Sequence, residues 1–88
     1  IRPISDDLYV KAANSYRKSG AMDIALDMLE IARTKESGFA PLYREKAYIM
    51  EAQGERKAAR ELFQLYLELS PNALDRKQIE DKINQLRG

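Results

Sequence analysis

The chain has no cysteine, no histidine and no tryptophan. Without histidine or cysteine it cannot build a Ser-His-Asp triad, a Cys-His pair or any of the common zinc ligand sets. The missing cysteines also exclude a disulfide framework. They leave the compartment open, with a slight lean toward the cytoplasm. Long apolar runs are lacking, so neither a membrane span nor a signal-peptide core is expected, and the chain reads as soluble. Its four glycines stand alone, which excludes a glycine-rich phosphate loop. Neither sign of charge is in excess, with fifteen basic residues against fourteen acidic ones. The balance survives division: five of each sign in residues 1–34, six of each in 35–72, four basic against three acidic in 73–88. Nucleic-acid binders usually carry a basic face that releases counterions from phosphate, so no nucleic-acid partner is expected. No cofactor and no metal are expected either.

A length of 88 residues suits one domain and leaves no room for a second. So short a chain buries a modest share of its surface, and its core must come from well-matched elements or from neighbours. The first residue is Ile1 rather than Met, which suggests an excised fragment or a processed chain.

Sparse proline and glycine divide the sequence into stretches of helical period. The first, residues 6–19, follows Ser5 as N-cap and sets Asp6 and Asp7 where the helix dipole favours negative charge. Within it Tyr9, Ala12, Ala13 and Tyr16 share a face, and Ser19 with Gly20 break it. A second helix over 22–35 carries the stripe Ile24, Ala25, Met28, Leu29 and Ala32, closed by Gly38. A third opens near Pro41, where a first-turn proline loses nothing, and runs to Gln53 before Gly54. The fourth, 56–69, presents Ala59, Leu62, Phe63, Tyr66 and Leu69 and stops before Pro71. Asn72 with Asp75 resembles a capping pair for a fifth, in which Ile79, Ile83 and Leu86 form one narrow apolar seam. The paired acids Asp6 with Asp7 and Asp23 with Asp27 would suit a carboxylate hydrolase. They read better as first-turn dipole partners and solvated faces, so no enzyme is expected.

Shifting the sequence by 34 residues superposes Tyr9 on Tyr43, Ala13 on Ala47, Gly20 on Gly54, Ala25 on Ala59, Leu29 on Phe63 and Ile31 on Leu65. This period, with two helices per unit, resembles the tetratricopeptide repeat, whose pattern runs W-x2-L-G-x2-Y, A-x3-F, P. In the first unit Tyr9, Ala12, Ala13, Tyr16, Ala25, Leu29 and Ala32 stand at the pattern positions. In the second, Tyr43, Ala47, Ala59, Phe63 and Pro71 keep it, while Lys46, Met50 and Tyr66 depart from it, as does Ser37 in the first. The resemblance implies an all-α, α-α superhelix of antiparallel helical hairpins, about five helices in a single domain spanning 1–88. Residues 1–5 would be a lead-in, 6–39 repeat 1, 40–73 repeat 2 and 74–88 a capping helix. Pro3 stands in register with Ser37 and Pro71, so it either ends an upstream repeat or is an incidental linker proline. Arrays usually need about three or more repeats, so a longer parent protein, a partner or self-association is expected. The aromatic stripe of Tyr9, Tyr16, Tyr43, Phe63 and Tyr66 is read as core packing.

In this family the first helix of each unit lines a concave groove. The resemblance therefore assigns the binding groove to Asp7, Val10, Asn14, Arg17 and Lys18 in the first unit. In the second it assigns Pro41, Arg44, Tyr48, Glu51 and Ala52. Asn14, Arg17 and Arg44 would donate to a ligand backbone or carboxylate, and Tyr48 would offer a flat apolar surface with a hydroxyl. Some members clamp a C-terminal carboxylate with a lysine and asparagines. Asn14 matches one clamp asparagine, but Val10 replaces the lysine and Glu45 another asparagine, so no such clamp is expected. The expected function is a protein-interaction scaffold that holds a peptide or partner protein. Two alternatives stand beside it: a helical-repeat RNA binder, because residues 15–41 also resemble a pentatricopeptide unit, and an architectural dimerisation domain.

Overall fold

The computed structural model describes the backbone of residues 4–87 and the side chains of residues 8–87. Pro3 and the side chains of Asp6 and Asp7 lie outside the described residues. Over the described residues the architecture is all-α, with five helices: α1 (Ile4–Lys18), α2 (Met22–Lys35), α3 (Ala40–Ala52), α4 (Arg56–Leu69) and α5 (Arg76–Arg87). Ser5 lies inside α1 rather than ahead of it, because the helix is already formed at Ile4.

The turn from α1 to α2 and the turn from α3 to α4 have the same construction. Gly20 adopts φ 90° and Gly54 φ 81°, left-handed positions that glycine reaches without a Cβ penalty. In the first turn Gly20 N–H donates to the Arg17 carbonyl at 3.0 Å and Ala21 N–H to that of Tyr16 at 2.8 Å. In the second, Gly54 N–H reaches Glu51 at 3.0 Å and Glu55 N–H reaches Met50 at 2.9 Å. Each pair satisfies carbonyls that a helix end would otherwise leave orphaned. The helix ends repeat as well: Glu36 N–H closes α2 on Ala32 and Ser70 N–H closes α4 on Tyr66, both at 2.9 Å. Glu36 is extended, so α2 ends at Lys35, the limit expected from sequence. Every one of these bonds recurs at a step of 34 residues.

Among the described residues, α1 packs on α2 and α3, α2 on α3, α3 on α4 and α4 on α5, while α2 and α4 do not meet. The molecule measures 37 × 29 × 18 Å, a slab about two helices thick. Two apolar clusters fill it. The first gathers Val10, Ala13, Ala25, Leu29, Ala32, Phe39, Leu42 and Ile49; the second gathers Ala40, Ala47, Ala59, Phe63, Tyr66, Ile79, Ile83 and Leu86. Helix α3 contributes to both, with Leu42 and Ile49 on one side and Ala40 and Ala47 on the other. Buried alanines at 13, 25, 47 and 59 let the paired helices approach closely, and the larger side chains fill the grooves between them.

The aromatic stripe divides. Phe63 and Tyr66 are buried and Tyr9 and Tyr43 half-buried, but Tyr16 is 39% exposed. Tyr16 is not a core residue, because no described element covers the side of α1 that turns away from α3.

Candidate binding surface between α1 and α3

Val10, Asn14 and Arg17 recur every three to four residues on α1 and face α3. On α3, Glu45 falls between Leu42 and Ile49 at the same spacing, so its side chain enters the junction with the apolar residues. At 4% exposure it is the one buried charged residue among those described. Desolvating a carboxylate is costly unless donors replace water. Asn14 Nδ2 donates to Glu45 Oε1 at 3.1 Å and lies 3.2 Å from Oε2. Arg17 Nε donates to Oε1 at 3.1 Å, and Arg44 Nε stands 3.9 Å from Oε2. The Arg17 guanidinium also lies over the Tyr48 ring, 4.9 Å from its centroid, and Tyr48 meets Phe63 edge-on at 5.0 Å. A continuous run of polar and ring contacts thus leads from α1 through α3 to α4.

A second polar group ties α5 to this run. Asp75 stands one residue before α5, and its carbonyl accepts the Ile79 N–H at 3.0 Å. Its carboxylate does not cap the helix as the Asn72 and Asp75 pairing suggested. It accepts the Tyr66 hydroxyl at 2.6 Å and Arg44 Nη1 at 3.2 Å, so three elements converge on it. Arg44 also reaches the Tyr66 hydroxyl at 3.3 Å and lies 5.3 Å from the ring centroid. Burial pulls the Arg44 guanidinium down, but Tyr66, Asp75 and Glu45 outweigh it and hold it above the ordinary arginine value. Burial, then the hydrogen bond to Asp75, pushes the Tyr66 hydroxyl up. Burial raises Tyr48 as well. Lys82 of α5 donates to Glu51 of α3 at 3.1 Å.

The residues nominated from sequence, Asp7 excepted, have definite places. Val10 is 5% exposed and belongs to the first core cluster rather than to an open surface. Asn14, Arg17 and Arg44 sit together at the α1–α3 junction, with donors already engaged by Glu45 and Asp75. Tyr48 is half-buried between Arg17 and Phe63, and Glu51 pairs with Lys82. Lys18 and Ala52 are exposed and Pro41 is half-buried; the Asp7 side chain lies outside the described residues. A shallow cleft of about 460 Å³ opens along the junction, lined by Val10, Lys11, Asn14, Ser15, Pro41, Arg44 and Glu45. Lys11, Ser15 and the organising role of Glu45 were not anticipated. The spacing of Glu45 between Leu42 and Ile49 was the available signal for its burial. A second cleft of about 330 Å³ lies between α2 and α3, with Leu26, Leu29, Leu42 and Met50 among its walls.

Among the described residues, no three His, Cys, Asp or Glu side chains gather in a group that could hold a metal ion. No described helix is long and apolar enough to cross a membrane. No protein-family model matches the chain, and no curated protein matches it as a relative.

Proposed function

We propose that the chain is a protein-interaction module of the tetratricopeptide kind, without catalytic activity, and that its α1–α3 face receives an extended segment of a partner protein. The observation that carries this reading is the cleft itself, built on a polar junction whose internal hydrogen bonds are already made. The 34-residue recurrence of helix-end hydrogen bonds supports the family resemblance. Two helices offset by one repeat leave a long trough, and an extended chain fits a trough better than a compact ligand does.

The cleft would hold its partner through what Glu45 leaves unused. With its amide nitrogen committed to the carboxylate, Asn14 keeps Oδ1 as an acceptor for a peptide N–H. Ser15 and Lys11 add exposed polar groups at the cleft wall. Because Glu45 and Asp75 already set carboxylates against Asn14, Arg17 and Arg44, the surface is ill suited to a ligand recognised only by a terminal carboxylate. A peptide with a free acidic C-terminus and its amide should bind alike.

Capture of partners from the native host tests the reading. Ser15→Arg fills the cleft from an exposed position without entering the core. The expected result is a protein captured by the wild-type chain and lost with S15R, while helicity is retained. Identical captures by both chains would contradict the proposal.

A further inference from the structure

Independently of the cleft, the opposite side of the first hairpin carries an apolar face that no other described element covers. Helical spacing puts Leu8, Ala12 and Tyr16 of α1 beside Ile24, Met28 and Ile31 of α2, on the side away from α3. Leu8 is 57% exposed, Ile24 44% and Tyr16 39%, and the other three are half-buried. Three of the five large apolar side chains exposed among the described residues thus share one surface. Single exposed apolar residues need no explanation, but a contiguous stripe along two helices does.

We infer that this face pairs with the same face of a second copy of the chain, in an isologous four-helix contact. The margins of the face indicate this occupant. Its α1 edge carries the exposed Lys18, next to the α1–α2 turn. Its α2 edge carries the exposed Asp23 near the same turn, and Asp27 one helical turn further on. A two-fold axis in the contact plane, running parallel to the helices between them, lays α1 of one copy against α2 of the other. Turn end then meets turn end, so Lys18 of each copy comes to Asp23 of the other and the apolar stripes meet between them. An isologous contact requires this self-complementarity, because each patch must satisfy its own image. The far end of the chain is a poor substitute: the outward residues of α5 include Lys77, Gln78, Asn84 and Gln85, all exposed and polar.

Sedimentation of the 88-residue chain over a range of concentrations tests the proposal. The weight-average mass should rise from 10.1 kDa toward twice that value as concentration increases. Leu8→Glu and Ile24→Glu, both at exposed positions, should hold the chain at the monomer mass with unchanged helical circular dichroism. Lys18→Asp and Asp23→Lys should each weaken association, and the double exchange K18D/D23K should restore it, since it reverses both ends of every pair. A chain that stays monomeric at all concentrations would overturn the inference and leave the face to a different helical partner. Association that survives both L8E and I24E would overturn it too, by placing the contact elsewhere. Dimers that the double exchange fails to restore would reject the proposed two-fold arrangement.

Discussion

Leu8 of the first hairpin and Leu42 of the second occupy equivalent places 34 residues apart, yet Leu8 is 57% exposed and Leu42 1%. The same helix position is surface in one hairpin and core in the other because α1 and α2 cover this side of α3, and no described element covers the equivalent side of α1. Lys11 and Glu45 make the same comparison in polar residues: one is exposed and the other enters the junction. Burial here is a property of the stacking step, not of the hairpin. A repeat's residues cannot be assigned to core or surface until its neighbour is known.

Truncating each member of the leucine pair should give the widest separation. Leu42→Ala should cost about 2–5 kcal/mol in denaturant unfolding, as other fully buried leucines do. Leu8→Ala, measured at a concentration where the chain is monomeric, should stay within about 0.5 kcal/mol. Similar costs at both sites would mean that α1 is covered after all.

The two carboxylates that join neighbouring elements offer a finer comparison. Glu45 has a side chain 5% exposed and gathers Asn14 and Arg17 across the α1–α3 junction. Asp75 is 26% exposed and gathers Tyr66 and Arg44 where α5 begins. Glu45 is the more deeply buried carboxylate, and its removal leaves a hole in the junction as well as Asn14 and Arg17 without their acceptor, so Glu45→Ala should cost about 2 kcal/mol and Asp75→Ala about 1 kcal/mol. Thermal unfolding would read both. An Asp75 variant costlier than the Glu45 variant would reverse the ranking of the two junctions.

Where the hairpins are alike, substitutions should behave alike. A Cβ at Gly20 or Gly54 would meet no atom within 4 Å, so the cost lies in the left-handed backbone alone. Gly20→Ala and Gly54→Ala should each lose about 1 kcal/mol. Unequal losses would show that the two turns differ in a way their shared hydrogen bonds do not reveal.

The smallest effect concerns pH. Burial raises the hydroxyls of Tyr48 and Tyr66, so the unfolded chain releases these protons before the folded one does. The stability tied to them is intact below the ordinary tyrosine value of about 10 and falls as pH rises through the folded values. Tyr66→Phe should lower stability at neutral pH, through the lost bond to Asp75, and flatten the alkaline decline. Denaturant midpoints on both sides of that range would show it.

Helix limits were largely legible because their causes are local. Gly20 and Gly54 permit a left-handed turn, Pro41 suits a first turn, and the apolar period of α4 needs no neighbour to be recognised. The polar surface was less legible. Asn14, Arg17 and Arg44 look like available donors in one dimension, and only the approach of α1 to α3 shows that Glu45 and Asp75 already hold them. The spacing of Tyr16 matches a core position, whereas its exposure depends on which side of α1 has a neighbour. The spacing of Asp75 from Asn72 suits a capping pair, but the nearby Tyr66 hydroxyl and Arg44 are the partners its carboxylate finds.

The central claim is that, among the described residues, α3 meets α1, α2 and α4 while neither α1 nor α2 meets α4 or α5, so that the hairpins lie side by side and leave a trough along α1 and α3. Methyl-to-methyl and methyl-to-aromatic nuclear Overhauser effects measure this most directly. Contacts are predicted between Leu29 and Leu42, and between Phe63 and Ile79, with none joining α1 or α2 to α4 or α5. Strong effects between α2 and α4, or between α1 and α5, within one chain would reveal a closed bundle and contradict the account.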